Sequence, residues 1–278
     1  MRFPLFSTEG NRPTSLKGEV GHFFEVLAPD LEQERDLDGF FRHFTQSLLS
    51  MPAGKYLRFY FAGERTFVVS QTPDPRLFGC TLTPKDDPLS VLFGENLFSS
   101  IDFFDDYFHF NGIFWRLASV KEFPCEIEAG VLASLGDYVL SVRKIDNGKA
   151  IERLKLKRRM HFSGLFQAIR NIESENSYKE SEEMLESLSK GEDSLFEAEA
   201  FFLVKAPTKE ALDIETKRLV DSAKDRDIAL RVESRALTWL FCNLLPGVPP
   251  GLKRRLQMPA SFLSFLVPLE RDLSLIHI

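Results

Sequence analysis

Three cysteines in 278 residues are too few, and too widely spaced, to form a disulfide framework: Cys80, Cys125 and Cys242. An odd number of distant cysteines is typical of proteins from a reducing compartment. The sequence also has no apolar run close to the roughly 20 residues that a membrane-spanning helix needs, and its first residues contain no apolar signal core. We therefore expect a cytoplasmic protein, with only peripheral contact to any membrane.

The sequence contains none of the common catalytic motifs. Gly-Lys pairs occur only at residues 54–55 and 148–149, and neither belongs to the G-x-x-x-x-G-K-[ST] loop that cradles nucleotide phosphates. There is also no G-x-S-x-G and no H-E-x-x-H motif. Four histidines stand far from one another, which favours structural roles for them: His22, His43, His109 and His161. For this chain we predict no catalytic residue, no metal, no cofactor and no enzymatic activity.

The composition is rich in phenylalanine and has more acidic than basic residues. The chain has 27 Phe against five Tyr and two Trp, which predicts a dry aromatic core because Phe carries no polar group that needs a partner. The formal net charge is −6, which argues against nucleic acid as a direct partner. The stretch Glu173–Asp193 contains eight acids and two lysines, so it carries this excess by itself.

Hydrophobic periodicity predicts an α+β fold. Alternating patterns predict strands near residues 56–70, 137–145, 195–206 and 228–233, while 3.6-residue patterns predict helices near 39–52, 151–172, 181–190, 207–225 and 234–245. The strand at Leu195–Ala206 begins with alternating acids, and Thr208 is the predicted N-cap of the following helix. We predict a mixed sheet with packed helices, ferredoxin-like in character in its second half, a surface loop at residues 72–88, and no internal repeat.

Two basic stretches are candidate docking surfaces. The first lies on the long predicted helix and comprises Arg153, Lys155, Lys157, Arg158 and Arg159. The second is LKRRL at Leu252–Leu256. Either could meet anionic lipid headgroups, DNA or an acidic partner. The alternative is a solvated helix face that the acidic stretch Glu173–Asp193 offsets.

A possible metal set is a weaker candidate. Asp102, Asp105, Asp106 and His109 stand close together in the sequence, and on a helix Asp105 and His109 would share a face. The competing interpretation is an amphipathic segment with a solvated edge, because five aromatic residues are interleaved with these side chains.

The second half resembles the N-terminal region of the conjugative-transfer ATPases that power type IV secretion systems. The resemblance covers residues 137–272 and depends on the order of its parts: a basic helix, an acidic helix, the pattern VKAPTKEALD at Val204–Asp213, LFCNLLPGVPPGLKRRL at Leu240–Leu256, and SFLSFLVPLERD at Ser261–Asp272. Residues 1–136 match less definably and correspond to a variable β-rich N-terminal subregion. The boundary between residues 136 and 137 therefore marks where the sequence resemblance begins.

The resemblance implies a non-catalytic assembly and docking domain. In that family a RecA-like motor domain binds ATP and Mg²⁺, while the N-terminal region joins subunits into a hexamer and docks the motor on inner-membrane components of the secretion channel. The resemblance also implies that the protein is located in the bacterial cytoplasm, at the inner membrane. The cargo and the identity of the docking partner are not implied.

The end of the chain raises a separate expectation. Residues 273–278, LSLIHI, reverse-translate to the mosaic end of a transposase used in sequencing, so we interpret them as a probable adapter scar after a truncated parent. Two alternatives remain open. The chain could be a stand-alone α+β interaction module, or, remotely, a metal-dependent enzyme built on Asp102, Asp105, Asp106 and His109.

Overall fold

A computed structural model describes residues 2–3, 22–27, 34–63, 65–72, 75, 77, 80–85, 101–165, 182, 184–246 and 248–267. The side chains of residues 2–3, 34–38 and 157–165 are not among the described atoms. Residues 273–278 and most of the acidic stretch lie outside the described residues. The expectations made for those segments stay predictions.

Six helices with defined bounds occur in the described part of the chain. In chain order they are α1 (Glu34–Ser50), α2 (Val131–Leu135), α3 (Asn147–Leu165), α4 (Lys209–Lys224), α5 (Leu237–Leu244) and α6 (Ala260–Leu266). Residues 184–190 are also helical. This helical segment ends at Gly191, whose φ of 72° is readily adopted by glycine. Thr208 caps α4 as predicted, because its Oγ1 accepts a hydrogen bond from the N–H of Ala211.

All described strands belong to one sheet, and every pair of neighbours is antiparallel. The strands are β1 (Arg2–Phe3), β2 (His22–Leu27), β3 (Tyr56–Ala62), β4 (Arg65–Ser70), β5 (Thr81–Pro84), β6 (Ile101–Phe103), β7 (Phe108–Phe110), β8 (Ile113–Glu122), β9 (Tyr138–Lys144), β10 (Leu195–Ala206), β11 (Ala229–Val232) and β12 (Leu256–Pro259). Their order is β1-β6-β7-β8-β10-β9-β3-β4-β2-β5, with β11 on β8 and β12 on β10. The fold is α+β, as the sequence predicts.

The sheet contains the same four-strand arrangement twice. In the second unit β8, β9, β10 and β11 stand in the spatial order β11-β8-β10-β9, which is the order of a split β-α-β fold of ferredoxin-like character. In the first unit β2, β3, β4 and β5 stand in the matching order β5-β2-β4-β3. The two units meet edge to edge where β3 pairs with β9. The expectation of no internal repeat is therefore wrong at the level of topology, although the sequence shows no matching motif.

The predicted division at residue 136 falls inside this arrangement. The ferredoxin-like unit needs β8, which lies before that position, as the neighbour of β10. Strands from both sides of the division also pair at the β3–β9 seam. The two predicted subregions therefore share one sheet and one core.

Both faces of the central strands are buried. The four-helix face is covered by α1, α2, α4 and α6, and Leu57, Phe59 and Phe61 of β3 point to it. The opposite face, here called the α5 face, is covered by α5 and β7, and Tyr56 and Tyr60 of β3 point to it. This double burial explains why the central strands contain almost no exposed positions.

One local prediction is wrong in this region. The predicted surface loop at residues 72–88 contains β5, which forms the edge of the first unit by pairing with β2. The segment is rich in turn-forming residues, and the four residues of the strand are mostly exposed, so the local pattern carried little strand signal.

Candidate functional site

A cluster of three arginines surrounds one buried carboxylate on the α5 face. Glu197 lies in β10 and is 5% exposed. Its Oε2 is 2.5 Å from Arg143 Nη2, and its Oε1 is 3.3 Å from Arg255 Nη1 and 3.7 Å from Arg153 Nη1. The arginines come from β9, from the approach to β12 and from α3. We call these four residues the Glu197 arginine cluster.

The strand pattern explains why the cluster forms. Ala198 and Ala200 of β10 pack on the four-helix face, so Glu197 and Glu199 point to the α5 face. Arg143 is the register partner of Glu197 on the neighbouring strand. A carboxylate that is removed from water needs a cation or hydrogen-bond donors close by, and the arginines meet this need.

The cluster carries more positive than negative charge. The side chains of Arg153 and Arg255 are each 55% exposed, and that of Arg143 is 36% exposed. In the described part of the chain, Glu197 is the only acid within salt-bridge distance of these arginines. Guanidinium groups bind carboxylates and phosphates through paired hydrogen bonds, so this surface can accept a further anion.

A second ion pair holds the segment that leads to Arg255. Arg254 donates from Nε and Nη2 to the two carboxylate oxygens of Glu233, at 2.7 and 2.8 Å. Ser119 Oγ donates to the same carboxylate at 2.5 Å. Burial alone would raise the pKa of Glu233, but the hydrogen bonds from Arg254 and Ser119 outweigh it and lower that pKa.

Backbone N–H groups of the same segment surround Glu199. The N–H of Arg254 donates to Glu199 Oε2 at 3.3 Å, and those of Leu252 and Lys253 also face this carboxylate. Leu252 has a φ of 45°, in the left-handed region, which turns successive N–H groups toward one point. Burial raises the pKa of Glu199, and these N–H groups and the charge of Arg58 offset it only in part.

A fully buried arginine fastens the end of α5 to the sheet. Arg58 Nη1 donates to the carbonyl oxygens of Leu245 and Val248 at 2.8 and 2.9 Å, and Nε donates to Ser141 Oγ at 3.0 Å. Tyr60 Oη donates to the carbonyl of Leu244 at 2.7 Å. The last carbonyls of a helix have no intrahelical donor, so these bonds satisfy them. The network thereby fixes α5 and the segment after it on the sheet.

The structure brings parts of both predicted basic stretches together. Arg153 of the first stretch and Arg255 of the second meet at Glu197. Lys155 is exposed on α3. The backbone of Lys157, Arg158 and Arg159 lies in α3, and their side chains are outside the described residues.

Sequence reasoning missed Arg143 and the central role of Glu197. The signal that could have found them is the pair of acids at alternating positions of a buried strand. Such acids require cations or hydrogen-bond donors close by.

The predicted metal set is not on a helix. Asp102 lies in β6 and His109 in β7, where they are register partners, and Asp105 and Asp106 lie in the turn between these strands. Asp106 Oδ2 pairs with Arg116 Nη2 at 2.6 Å. The premise that Asp105 and His109 share a helix face is therefore wrong. Within the described ranges, no group of three or more His, Cys, Asp or Glu side chains is placed to hold a metal ion.

A groove of about 370 Å³ lies between the α2–β9 turn, β10 and α4. Two of its three cations have acidic partners on its own walls, and Arg226 donates to the carbonyl of Ser222. Lys205 Nζ lies 2.9 Å from Asp137, and Arg218 Nη1 lies 3.3 Å from Glu215. The groove therefore offers a new anion less unpaired charge than the Glu197 arginine cluster does.

Comparison with known proteins adds no relative. Neither the models of known protein families nor a search of the curated proteins gives a match to this chain. None of the helices in the described part of the chain combines the length and the apolar character needed to cross a membrane.

Proposed function

We propose that this chain is a docking module that binds an acidic surface of a partner protein through the Glu197 arginine cluster. The observation that carries the proposal is the convergence of Arg143, Arg153 and Arg255 on one buried carboxylate, which leaves excess positive charge at a partly exposed site. Strand register places Glu197 beside Arg143, and the pair of Arg254 with Glu233 fixes the segment that leads to Arg255.

The family resemblance supports a more specific form of this proposal. The chain would act as the non-catalytic assembly and docking domain of a type IV secretion ATPase, in the bacterial cytoplasm and peripheral at the inner membrane. Its partners would be other subunits of the ATPase and inner-membrane proteins of the channel. ATP and Mg²⁺ would serve the motor domain of the parent protein.

A stand-alone interaction module is the second candidate, and it would use the same cluster. Long-read sequencing of unfragmented genomic DNA around codon 272 separates the two forms. A frame that continues into G-x-x-x-x-G-K-[ST] supports the secretion ATPase. Genomic codons for LSLIHI followed by a stop codon contradict it and leave the stand-alone module.

Binding of labelled polyglutamate, followed by fluorescence anisotropy, tests docking directly. We expect salt-sensitive binding to the wild-type chain, and at least a tenfold loss of affinity in the double variant Arg153→Glu with Arg255→Glu, which keeps Arg143 to pair with Glu197. Charge reversal at Lys155, Lys157, Arg158 and Arg159 tests the rest of the first basic stretch.

The matched control changes net charge equally at a distant place. Arg218→Glu with Arg226→Glu alters two exposed arginines that line the groove beside α4. This control should bind polyglutamate as the wild type does, apart from a small effect of net charge. An equal or larger loss in the control would contradict the proposal and favour the groove.

A further inference from the structure

An exposed tryptophan lies beside the segment that carries Arg255. Trp239 is on α5 and is 42% exposed, whereas most aromatic side chains of α5 and its neighbours are buried. Lys253 Nζ lies 5.8 Å from the centre of its ring. A Cβ at Gly251 would lie 3.1 Å from the ring, so the backbone of the segment packs closely against Trp239. Trp239 is therefore held by its surroundings while its outer side faces solvent.

The segment of residues 251–255 connects Trp239 with the Glu197 arginine cluster. Both lie on the α5 face of the sheet, and residues 251–255 run from the ring to Arg255. The inner side of this segment is fixed by the pair of Arg254 with Glu233 and by the N–H groups that face Glu199. Lys253 and Arg255 are exposed on this segment, and Lys253 lies beside Trp239.

We infer that the partner is an acidic polypeptide segment that places an apolar side chain on Trp239 while its carboxylates pair with Arg153 and Arg255. This inference rests on the proposed docking function and names the chemistry of the partner. Planar guanidinium groups match carboxylates in the way that Glu197 already shows. Trp and Arg are the residues that most often supply binding energy at protein interfaces.

The rigidity of the surface also favours a folded or extended protein segment over a lipid surface. Membrane surfaces are bound mainly through mobile basic side chains and several inserted aromatic residues. Here Trp239 packs on the backbone at Gly251, and Arg153 and Arg255 lie 3.7 and 3.3 Å from the same buried carboxylate. A fixed arrangement discriminates between partners of different side-chain pattern, which a fluid headgroup layer does not require.

Two labelled synthetic peptides test the inference on the full chain. One has glutamates on both sides of a phenylalanine, and the other has alanine in place of the phenylalanine. We expect the phenylalanine peptide to bind the wild type at least five times more tightly. Trp239→Ala should remove this preference without changing affinity for polyglutamate, and Trp239→Phe should keep most of it because an aromatic ring remains. Ile214→Ala, at another exposed apolar side chain, 63% exposed, should change nothing.

The outcomes separate this inference from the proposed function. Equal binding of both peptides by the wild type, with binding still lost in Arg153→Glu with Arg255→Glu, overturns the inference and leaves docking intact. Binding to phosphatidylglycerol vesicles that depends on Trp239, without peptide binding, overturns it in favour of a lipid surface. Failure of the wild type to bind polyglutamate or either peptide overturns the proposed function itself.

Discussion

At the residue scale, the centre of the sheet contains charged side chains that each depend on a particular partner. Glu199 and Glu233 are 3% and 1% exposed, and both lie beneath the segment that carries Arg254. The two carboxylates differ in the groups that contact them. Glu233 has a paired guanidinium and a hydroxyl, whereas Glu199 has only backbone N–H groups and a more distant arginine charge. The pKa values of the two carboxyls consequently move in opposite directions.

This difference predicts opposite pH effects on stability for Glu199→Gln and Glu233→Gln. The pKa of Glu199 is raised above 4.5, so its favourable contribution is complete below pH 4.5 and is lost as pH rises through the folded-state pKa. The pKa of Glu233 is lowered below 4.5, so its contribution is present above pH 4.5 and is lost as pH falls through the folded-state pKa.

Denaturant unfolding across this pH range measures both effects. Relative to the wild type, Glu199→Gln should gain stability as pH rises above 4.5, because glutamine cannot ionise. Glu233→Gln should be least stable, relative to the wild type, above pH 4.5, and its deficit should shrink below that value. Curves that run parallel to the wild type for both variants would contradict these environments.

At the element scale, α5 depends on the strand beneath it. Pro246 and Gly247 follow the helix predicted near residues 234–245, and α5 ends at Leu244. The carbonyls at this end, however, are bound by Arg58 and Tyr60 of β3, which are far away in sequence. The turn residues therefore account for where the helix stops, and the buried donors account for where it lies.

Removing the buried guanidinium should loosen this attachment. Arg58→Met removes the guanidinium donor from the carbonyls of Leu245 and Val248 and from the hydroxyl of Ser141, although Leu245 keeps the N–H of Val248, so we expect a loss of about 3 kcal/mol in the free energy of unfolding. The matched control Arg65→Met removes an arginine whose side chain is 54% exposed and paired with Glu25, and should cost about 1 kcal/mol or less. Equal losses in urea unfolding would show that Arg58 does not fasten α5.

Helices and strands were predictable from the sequence where apolar residues recur along one face of the element. The periodic apolar positions of α1, the Thr208 cap of α4 and the span of β10 all match the structure, since each depends on a few adjacent residues. Asn-Gly is a dipeptide that favours tight hairpin turns, and Asn111 and Gly112 both have positive φ between β7 and β8. The hairpin of β6 and β7 shows that the i, i+4 spacing of Asp105 and His109 does not by itself indicate a helix.

The sequence pattern did not predict which distant strands pair with each other. The β3–β9 seam and the contact of Glu197 with Arg153 and Arg255 join residues more than forty positions apart, and no local signal specifies such partners. The basic stretches were predictable as candidate surfaces because their charges are adjacent in sequence. Their meeting at one carboxylate became visible only from the fold.

At the scale of the whole molecule, the two four-strand units depend on each other. Apolar strands β3 and β9 meet at the seam, and both faces beside it are buried. The strand β10 also needs β8 on one side and β9 on the other. The chain should therefore unfold as one cooperative unit in spite of its duplicated topology.

Fragments test this dependence. A fragment of residues 137–272 lacks β8 and β3, so β9 and β10 each lose a neighbour, and we expect no cooperative unfolding transition by circular dichroism. A fragment of residues 113–272 restores β8 and should recover more strand signal. A cooperative transition in the shorter fragment, comparable with that of the full chain, would contradict the shared core.

The docking role of the Glu197 arginine cluster is tested most directly by following arginine side-chain Nε–H signals by NMR while polyglutamate is added to the full chain. The predicted result is that the signals of Arg143, Arg153 and Arg255 shift together and saturate, while those of Arg218 and Arg226 stay in place. Shifts that are confined to Arg218 and Arg226, or that are spread evenly over all exposed arginines, would contradict it.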